Sequence, residues 1–122
     1  LKLIHFMSDK GWWEDINTNI VTSNQGQYDY ENTTNTVKSY FSANGVNIET
    51  LKGDITVGVN PSVVWLDANN TSTLIQSKQN SQEEVVANKI TYKNAFSFGD
   101  IEYIVENDKV KNNFILNQIL IS

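Results

Sequence analysis

Short runs of alternating apolar and polar residues, separated by polar turn segments, make up most of this chain. Residues 46–49 alternate strictly, and Ile55, Val57 and Val59 share one face of a later run. Runs of about five residues that recur every 8–12 residues or so are typical of sandwiches and barrels rather than of alternating strands and helices. The sequence therefore predicts an all-β fold, an antiparallel β-sandwich or open barrel of short strands with hairpin connections.

One hairpin can be predicted in register. Pairing Val105 with Val110 across the polar residues 106–109 places Tyr103 opposite Asn112. The same pairing brings the side chains of Glu102 and Lys111 close together on the other face of the hairpin. We expect an antiparallel pair of strands here.

Two segments depart from the simple alternation. Residues 81–88 are the best helix candidate, because Ser81 followed by Glu84 fits a capping box, although two adjacent valines weaken the helix. Residues 62–66 form a compact apolar run around Trp65, and the sequence predicts that this run is buried.

Length and charge narrow the range of functions. A chain of 122 residues is predicted to form a single module (residues 1–122), which we expect to be part of a longer surface protein. The formal net charge is −5, and all nine basic residues are Lys, which argues against nucleic-acid binding. No apolar run approaches the roughly 18 residues of a membrane-spanning helix, so membrane insertion is not expected.

Four aromatic residues are candidates for a glycan-binding platform: Trp12, Trp13, Tyr28 and Tyr30. Flat aromatic faces stack on sugar rings, and Asn or Asp at the rim bind hydroxyl groups. Neighbouring residues of a strand point to opposite sides, so we expect one tryptophan in the core and the other exposed. The alternative is that all four simply pack in the core or protect sheet edges.

Asn-rich loops supply the candidates for metal binding and modification. Asp67 and Asn69 place side-chain oxygens at alternating positions, as calcium loops do, but the Gly and closing Glu of an EF-hand are missing. The sequence predicts no cofactor, with Ca²⁺ as the alternative. Glycosylation sequons occur at Asn32, Asn69 and Asn70, and chance accounts for such sequons in a chain rich in Asn and Thr.

Catalytic signatures are weak. His5 is the only histidine, and no nucleophile motif accompanies it. Asp100 and Glu102 share a strand face, where solvated charges normally lie, and Glu102 is within reach of an ion pair with Lys111. The sequence therefore predicts no catalytic residues and a protein that is not an enzyme.

Two motifs near the ends of the chain carry a family resemblance. Residues 11–18 read Gly-Trp-Trp-Glu-Asp-Ile-Asn-Thr, and residues 90–96 read Ile-Thr-Tyr-Lys-Asn-Ala-Phe, followed by Asp-Ile-Glu-Tyr-Ile-Val at residues 100–105. Together they resemble the β-rich N-terminal module of large secreted RHS-repeat and wall-associated surface proteins. One departure is Asp108-Lys109, where the family has a Gly before Val-Lys.

The resemblance implies an extracellular or cell-surface module with a structural or adhesive role, whose partners are neighbouring domains of a longer chain. It brings no catalytic residues to this segment. A carbohydrate-binding module that contacts a surface glycan is the alternative, and a hydrolase comes third. The apolar residues 114–121 also predict strand-mediated self-association at a sheet edge.

Overall fold

The computed structural model describes residues 5–8 and 11–117, and within these residues the chain consists of strands and turns without a helix. The strands are β1 (His5–Met7), β2 (Trp13–Asp15), β3 (Val21–Thr22), β4 (Tyr30–Asn32), β5 (Lys38–Ser42), β6 (Gly45–Thr50), β7 (Gly53–Val57), β8 (Ser62–Leu66), β9 (Ser72–Ser77), β10 (Gln82–Val86), β11 (Lys89–Phe96), β12 (Gly99–Glu106) and β13 (Lys109–Leu116). The predicted all-β class is confirmed.

The strands of the described residues form four antiparallel sheets. Strands β3 to β7 make a five-stranded sheet and β10 to β13 a four-stranded sheet, while β1–β2 and β8–β9 are two-stranded ribbons. Within each sheet, neighbouring strands are consecutive in sequence, so the strands of a sheet have the predicted hairpin connections. The sheets do not close into a barrel, and the architecture is sandwich-like.

One apolar layer joins the two larger sheets. Phe41 and Val46 of the five-stranded sheet are buried in the same cluster as Ile90 and Val105 of the four-stranded sheet. The ring centroids of Phe41 and Tyr103 are 6.1 Å apart. Alternation places these residues on the inward face of each strand, so the period-two pattern in the sequence is what builds the core.

Polar contacts also cross between the two sheets. The buried Asn35 donates from Nδ2 to the carbonyl of Glu106 at 2.8 Å, and its Oδ1 accepts from the N–H of Asp108 at 3.0 Å. The Tyr92 hydroxyl donates to the carbonyl of Ser42 at 2.9 Å. Because buried polar groups are costly unless paired, these contacts fix the position of one sheet on the other.

The β12–β13 hairpin has the predicted register. Val105 lies opposite Val110, and Tyr103 lies opposite Asn112. Asp108 in the turn has a φ of 59°, in the left-handed region that Asp tolerates better than most residues. The departure from a family glycine in this turn is therefore compatible with a tight hairpin.

Strand β11 contains a bulge that its neighbour stabilises. The pairing with β12 shifts between Tyr92 and Phe96, and Asn94 in this segment has a φ of 58°. The buried Asp100 accepts from the N–H of Asn94 at 2.8 Å and forms an ion pair with Lys93 at 3.1 Å. The bulge thus has its polar partners built into the adjacent strand.

The helix candidate at residues 81–88 is wrong, because this segment contains strand β10. Glu84, which would have completed the capping box, lies opposite Thr91, and Val85 lies opposite Ile90. Ala87 then turns the chain with a φ of 54°. A capping interaction contributes only about 1 kcal/mol, which a full ladder of strand pairing and the packing of the valines outweigh.

Candidate functional site

The β1–β2 ribbon packs on the outer face of the five-stranded sheet. Phe6 is buried, and the ammonium group of Lys38 lies 5.6 Å from the centroid of its ring. Because Lys38 and Phe41 are three positions apart in β5, they lie on opposite faces of the sheet. The ribbon therefore contacts the face that points away from the main core.

A groove of about 220 Å³ runs beside this ribbon, and we call it the tryptophan groove. The residues that line it include His5, Met7, Trp13, Thr36, Lys38 and Leu51. Leu51, in the turn between β6 and β7, is 91% exposed. The groove thus combines exposed apolar walls with a lysine.

Both tryptophans of this region are exposed, Trp12 by 55% and Trp13 by 67%. The expectation that one of them lies in the core is wrong. The β1–β2 ribbon is anchored by Phe6, and β2 pairs with β1 rather than with a strand of the larger sheets. Strand alternation still separates two faces, but no second layer covers either tryptophan.

The two predicted tyrosines lie elsewhere. Tyr30 packs against the core cluster, opposite Phe41. Tyr28 contacts Tyr40 with ring centroids 5.1 Å apart, and its hydroxyl accepts from Nδ2 of Asn47 at 3.3 Å. Neither tyrosine lines the tryptophan groove, so the four predicted aromatic residues do not form a single platform.

The β8–β9 hairpin exposes large apolar side chains on both faces, and we call it the apolar ribbon. Its exposed residues are Val64, Trp65, Leu66, Leu74 and Ile75. Val64 lies directly opposite Leu74, so these two share one face, while Trp65 points to the other. Two apolar faces on one projecting hairpin are the most unusual surface of the described residues.

The predicted burial of Trp65 is wrong, since its side chain is 52% exposed. A compact apolar run signals a strand covered on both faces, but β8 pairs only with β9 in the described part of the chain. The base of the ribbon is nevertheless held in place. Gln76 accepts from the N–H of Ser97 at 2.9 Å, and Val63 packs against the core.

The candidate calcium loop forms the tip of the apolar ribbon. Oδ1 of Asp67 accepts from the backbone N–H of Asn69 at 2.8 Å and of Thr71 at 2.9 Å. These hydrogen bonds stabilise the turn, which explains why Asp and Asn occur in this loop. Within the described residues, no group of three or more His, Cys, Asp or Glu side chains that could hold a metal ion is found.

The three sequons differ in accessibility. Asn32 is 1% exposed, and its Nδ2, the atom to which a glycan would be attached, donates to the carbonyls of Asn17 and Asn19. The folded domain leaves no space for a glycan there. Asn69 and Asn70 are exposed at the tip of the apolar ribbon.

The candidate carboxylates act as structural groups. Burial of Asp100 opposes its ionisation, but the N–H of Asn94 and the neighbouring Lys93 outweigh this effect and lower its pKa. Glu102 accepts from Asn113 at 3.0 Å and lies 3.8 Å from Lys89. Each carboxylate already has partners that explain its position.

The expected pairing of Glu102 with Lys111 is also wrong. Lys111 forms its ion pair with Glu106 at 3.1 Å, in the same hairpin. His5 pairs through Nε2 with Asp15 at 2.9 Å across the β1–β2 ribbon. In the hydrogen bonds found for the described residues, no hydroxyl group contacts His5.

Sequence reasoning missed an acidic pair at the edge of the core. Glu83 lies on the inward face of β10, opposite Tyr92, and its Oε2 is buried without a hydrogen-bond partner among the described residues. Burial, together with a hydrogen bond and the charge of Asp29, raises its pKa to about 8, while Lys78 opposes the shift. In a strand over residues 82–86, Glu83 and Val85 point to the same face of the sheet. This alternation is the sequence signal that could have placed Glu83 on the inward face.

An open polar depression of about 690 Å³ lies beside the β12–β13 turn. Glu106 and Lys109 line it, with Thr18 and Asn88. Hydrogen bonding and charge from Lys111 lower the pKa of Glu106, which also lies 3.6 Å from Lys109. Glu106 is therefore already paired with two lysines of the same hairpin.

Comparison of the chain with known proteins gives no matching family model, no matching curated protein and no matching solved structure. The resemblance to the surface-protein module therefore stays a prediction. Since the described residues contain no helix, they also contain no helical segment long and apolar enough to cross a membrane.

Proposed function

We propose that this domain is a non-catalytic structural or adhesive module of an extracellular or cell-surface protein. In this role the apolar ribbon packs against a neighbouring domain of the same, longer chain. The observation that carries the proposal is the exposure of large apolar side chains on both faces of the β8–β9 hairpin.

The composition of the ribbon supports an interface. Residues 62–77 contain one charged residue, Asp67 at the tip, in a chain of which 19% is charged. The buried centres of protein interfaces are depleted in charge and enriched in aromatic residues such as Trp65. A surface of this composition is more favourable in contact with a neighbouring domain than in contact with water.

The stability of the ribbon gives a second argument. An isolated two-stranded hairpin is marginally stable in water, and packing on a further layer is normally needed. The ribbon is anchored at its base, where Gln76 contacts Ser97 and Val63 packs against the core. A neighbouring domain that contacts both faces of the ribbon, Leu74 on one and Trp65 on the other, would supply the missing layers.

The first test is the size and location of the native polypeptide, detected in fractionated cells by an antibody raised against this domain. We expect a band well above 13.8 kDa at the cell surface or in the medium. A soluble intracellular band at the mass of the domain would overturn the proposal.

The second test locates the interface. Trp65→Ser combined with Leu74→Ser should leave the melting temperature of the isolated domain nearly unchanged, because both side chains are exposed. The same pair should lower the protease resistance of the longer polypeptide. Val86→Ser, an exposed valine away from the ribbon, is the matched control and should have no effect in either setting.

A carbohydrate-binding module is the second candidate function, and the tryptophan groove favours it. Trp13 offers an exposed indole face for a sugar ring, with Thr36 and Lys38 in the same groove to bind hydroxyl groups. Trp13→Ala should abolish retention on a glycan matrix without changing the melting temperature. Retention that survives this substitution would remove the groove from consideration.

A further inference from the structure

We propose that the tryptophan groove binds an acidic saccharide, that is, a pyranose ring that carries a carboxylate. The ring lies on Trp13 and the carboxylate lies beside Lys38. This inference rests on the second candidate function and adds the charge of the ligand, which the aromatic residues alone do not specify.

The charge of the groove is opposite to that of the domain. The formal net charge of the chain is −5, yet none of the described residues that line the groove is acidic. The two basic residues in the lining are His5 and Lys38. His5 is held by Asp15 at 2.9 Å, so Lys38 is the cation that remains for a ligand.

Lys38 is placed for this task by its neighbours. Its ammonium group lies 5.6 Å from the ring centroid of Phe6, which also lines the groove. Glu49 lies opposite Lys38 in the pairing of β5 and β6, but the ion pairs found among the described residues join other groups. A cation held by a ring and without a carboxylate partner is available to bind an anion.

The remaining walls suit a sugar ring. Trp13 and Leu51 are both well exposed, and Met7 lies opposite Trp13 in the β1–β2 ribbon. The C–H faces of a pyranose ring pack on such apolar surfaces, while Thr36 can bind a hydroxyl group. The volume of about 220 Å³ lies below that of pockets for drug-sized ligands, which is about 300–1,000 Å³, and favours a small ring.

The test compares an oligogalacturonate with its methyl ester, in which a methyl group replaces the charge of each carboxylate. The complete chain is titrated with each probe, and the indole N–H signal of Trp13 is followed by NMR. We expect the free acid to bind about five- to tenfold more tightly than the ester, as one charge-assisted contact in a partly exposed site would give. Added salt should reduce the difference.

Substitutions assign the preference to one residue. Lys38→Gln should lower the affinity for the acid to that for the ester and leave the affinity for the ester unchanged, and Lys38→Arg should keep most of the preference. Trp13→Ala should abolish the binding of both probes, whereas Trp65→Ala, on the apolar ribbon, should change neither.

Each contrary result has a definite meaning. Equal affinity for the two probes would overturn the acidic saccharide and leave the carbohydrate-binding function standing. No binding of either probe at about 10 mM, the weak end of biological affinity, would overturn both. Binding lost with Trp65→Ala but kept with Trp13→Ala would place the sugar on the apolar ribbon and overturn the assignment of the groove.

Discussion

Replacing Glu83 by Gln should remove a pH-dependent weakness of the fold. The carboxyl group of Glu83 lies on the inward face of β10, and burial and Asp29 raise its pKa from the ordinary value of 4.5 to about 8. At neutral pH the folded protein therefore keeps a proton on Glu83 that the unfolded chain releases. Glutamine preserves the shape and the capacity to donate to Asp29, but it cannot ionise.

The sign of the effect follows from proton linkage. A raised carboxyl pKa means that the folded state binds more protons, so the contribution to stability is complete below pH 4.5 and falls as the pH rises to about 8. A shift of the pKa from 4.5 to about 8 sets an upper bound of about 5 kcal/mol for this loss. Because the group is only half-buried, screening by water reduces the expected loss to about 1–2 kcal/mol.

The assay is urea unfolding, followed by tryptophan fluorescence, at several values between about pH 5 and pH 9. We expect Glu83→Gln to gain stability over the native sequence as the pH rises, and the gain to level off above pH 8. Groups that titrate in both proteins cancel in this difference. Glu84→Gln, one position away on the exposed face of β10, is the control and should give a flat difference. A Glu83→Gln difference that stays within about 0.3 kcal/mol over the whole range would refute the reasoning.

Three further substitutions test the packing described above. Gly58→Ala should cost about 2–3 kcal/mol in urea unfolding, because Gly58 has a φ of 71° and a Cβ there would lie 2.5 Å from the hydroxyl of Tyr103. Gly53→Ala, where φ is also positive but no atom lies within 4 Å, should cost less, and equal losses would contradict the role of the contact. Asn35→Ala should cost about 2–4 kcal/mol, measured by thermal unfolding, since it orphans polar groups between the two sheets; a loss below about 0.5 kcal/mol would contradict this. A carboxyl group whose pKa is lowered by folding stabilises the fold above its ordinary pKa of 3.8, and this stabilisation is lost as the pH falls. Asp100→Asn should therefore lower the free energy of unfolding at neutral pH. It should also make the loss of stability at acid pH less steep. If stability falls equally steeply at acid pH in Asp100→Asn and in the native sequence, the role given to Asp100 is wrong.

The fold could be predicted from the sequence because the signals that specify it are local. The β12–β13 hairpin follows from the alternation on either side of a polar turn, and its register follows from pairing Val105 with Val110. The one wrong element, residues 81–88, arose where a local capping signal competed with strand pairing to β11. That pairing depends on residues distant from the cap, so no local pattern could decide it.

The candidate sites were harder to predict, because exposure depends on which layers cover a strand. Trp65 lies in a run whose pattern indicates burial, but the pattern does not say whether the covering layer belongs to the same domain. The aromatic residues fail as a single platform for the same reason, since Tyr30 packs in the core while Trp13 lines a groove. Glu83 escaped notice because its environment is created by contacts with Asp29 and Lys78 from other segments.

The bulge in β11 affects how much a sequence resemblance can indicate about function. Asn94 stands there because the backbone needs a residue that tolerates the left-handed region, and Asp100 stands opposite because the bulge leaves an N–H to be satisfied. Both positions belong to the second of the two motifs that carry the resemblance to surface proteins. A motif made of such residues reflects a requirement of the backbone geometry. It can persist through any change of ligand, so relatives recognised by it need share only a shape.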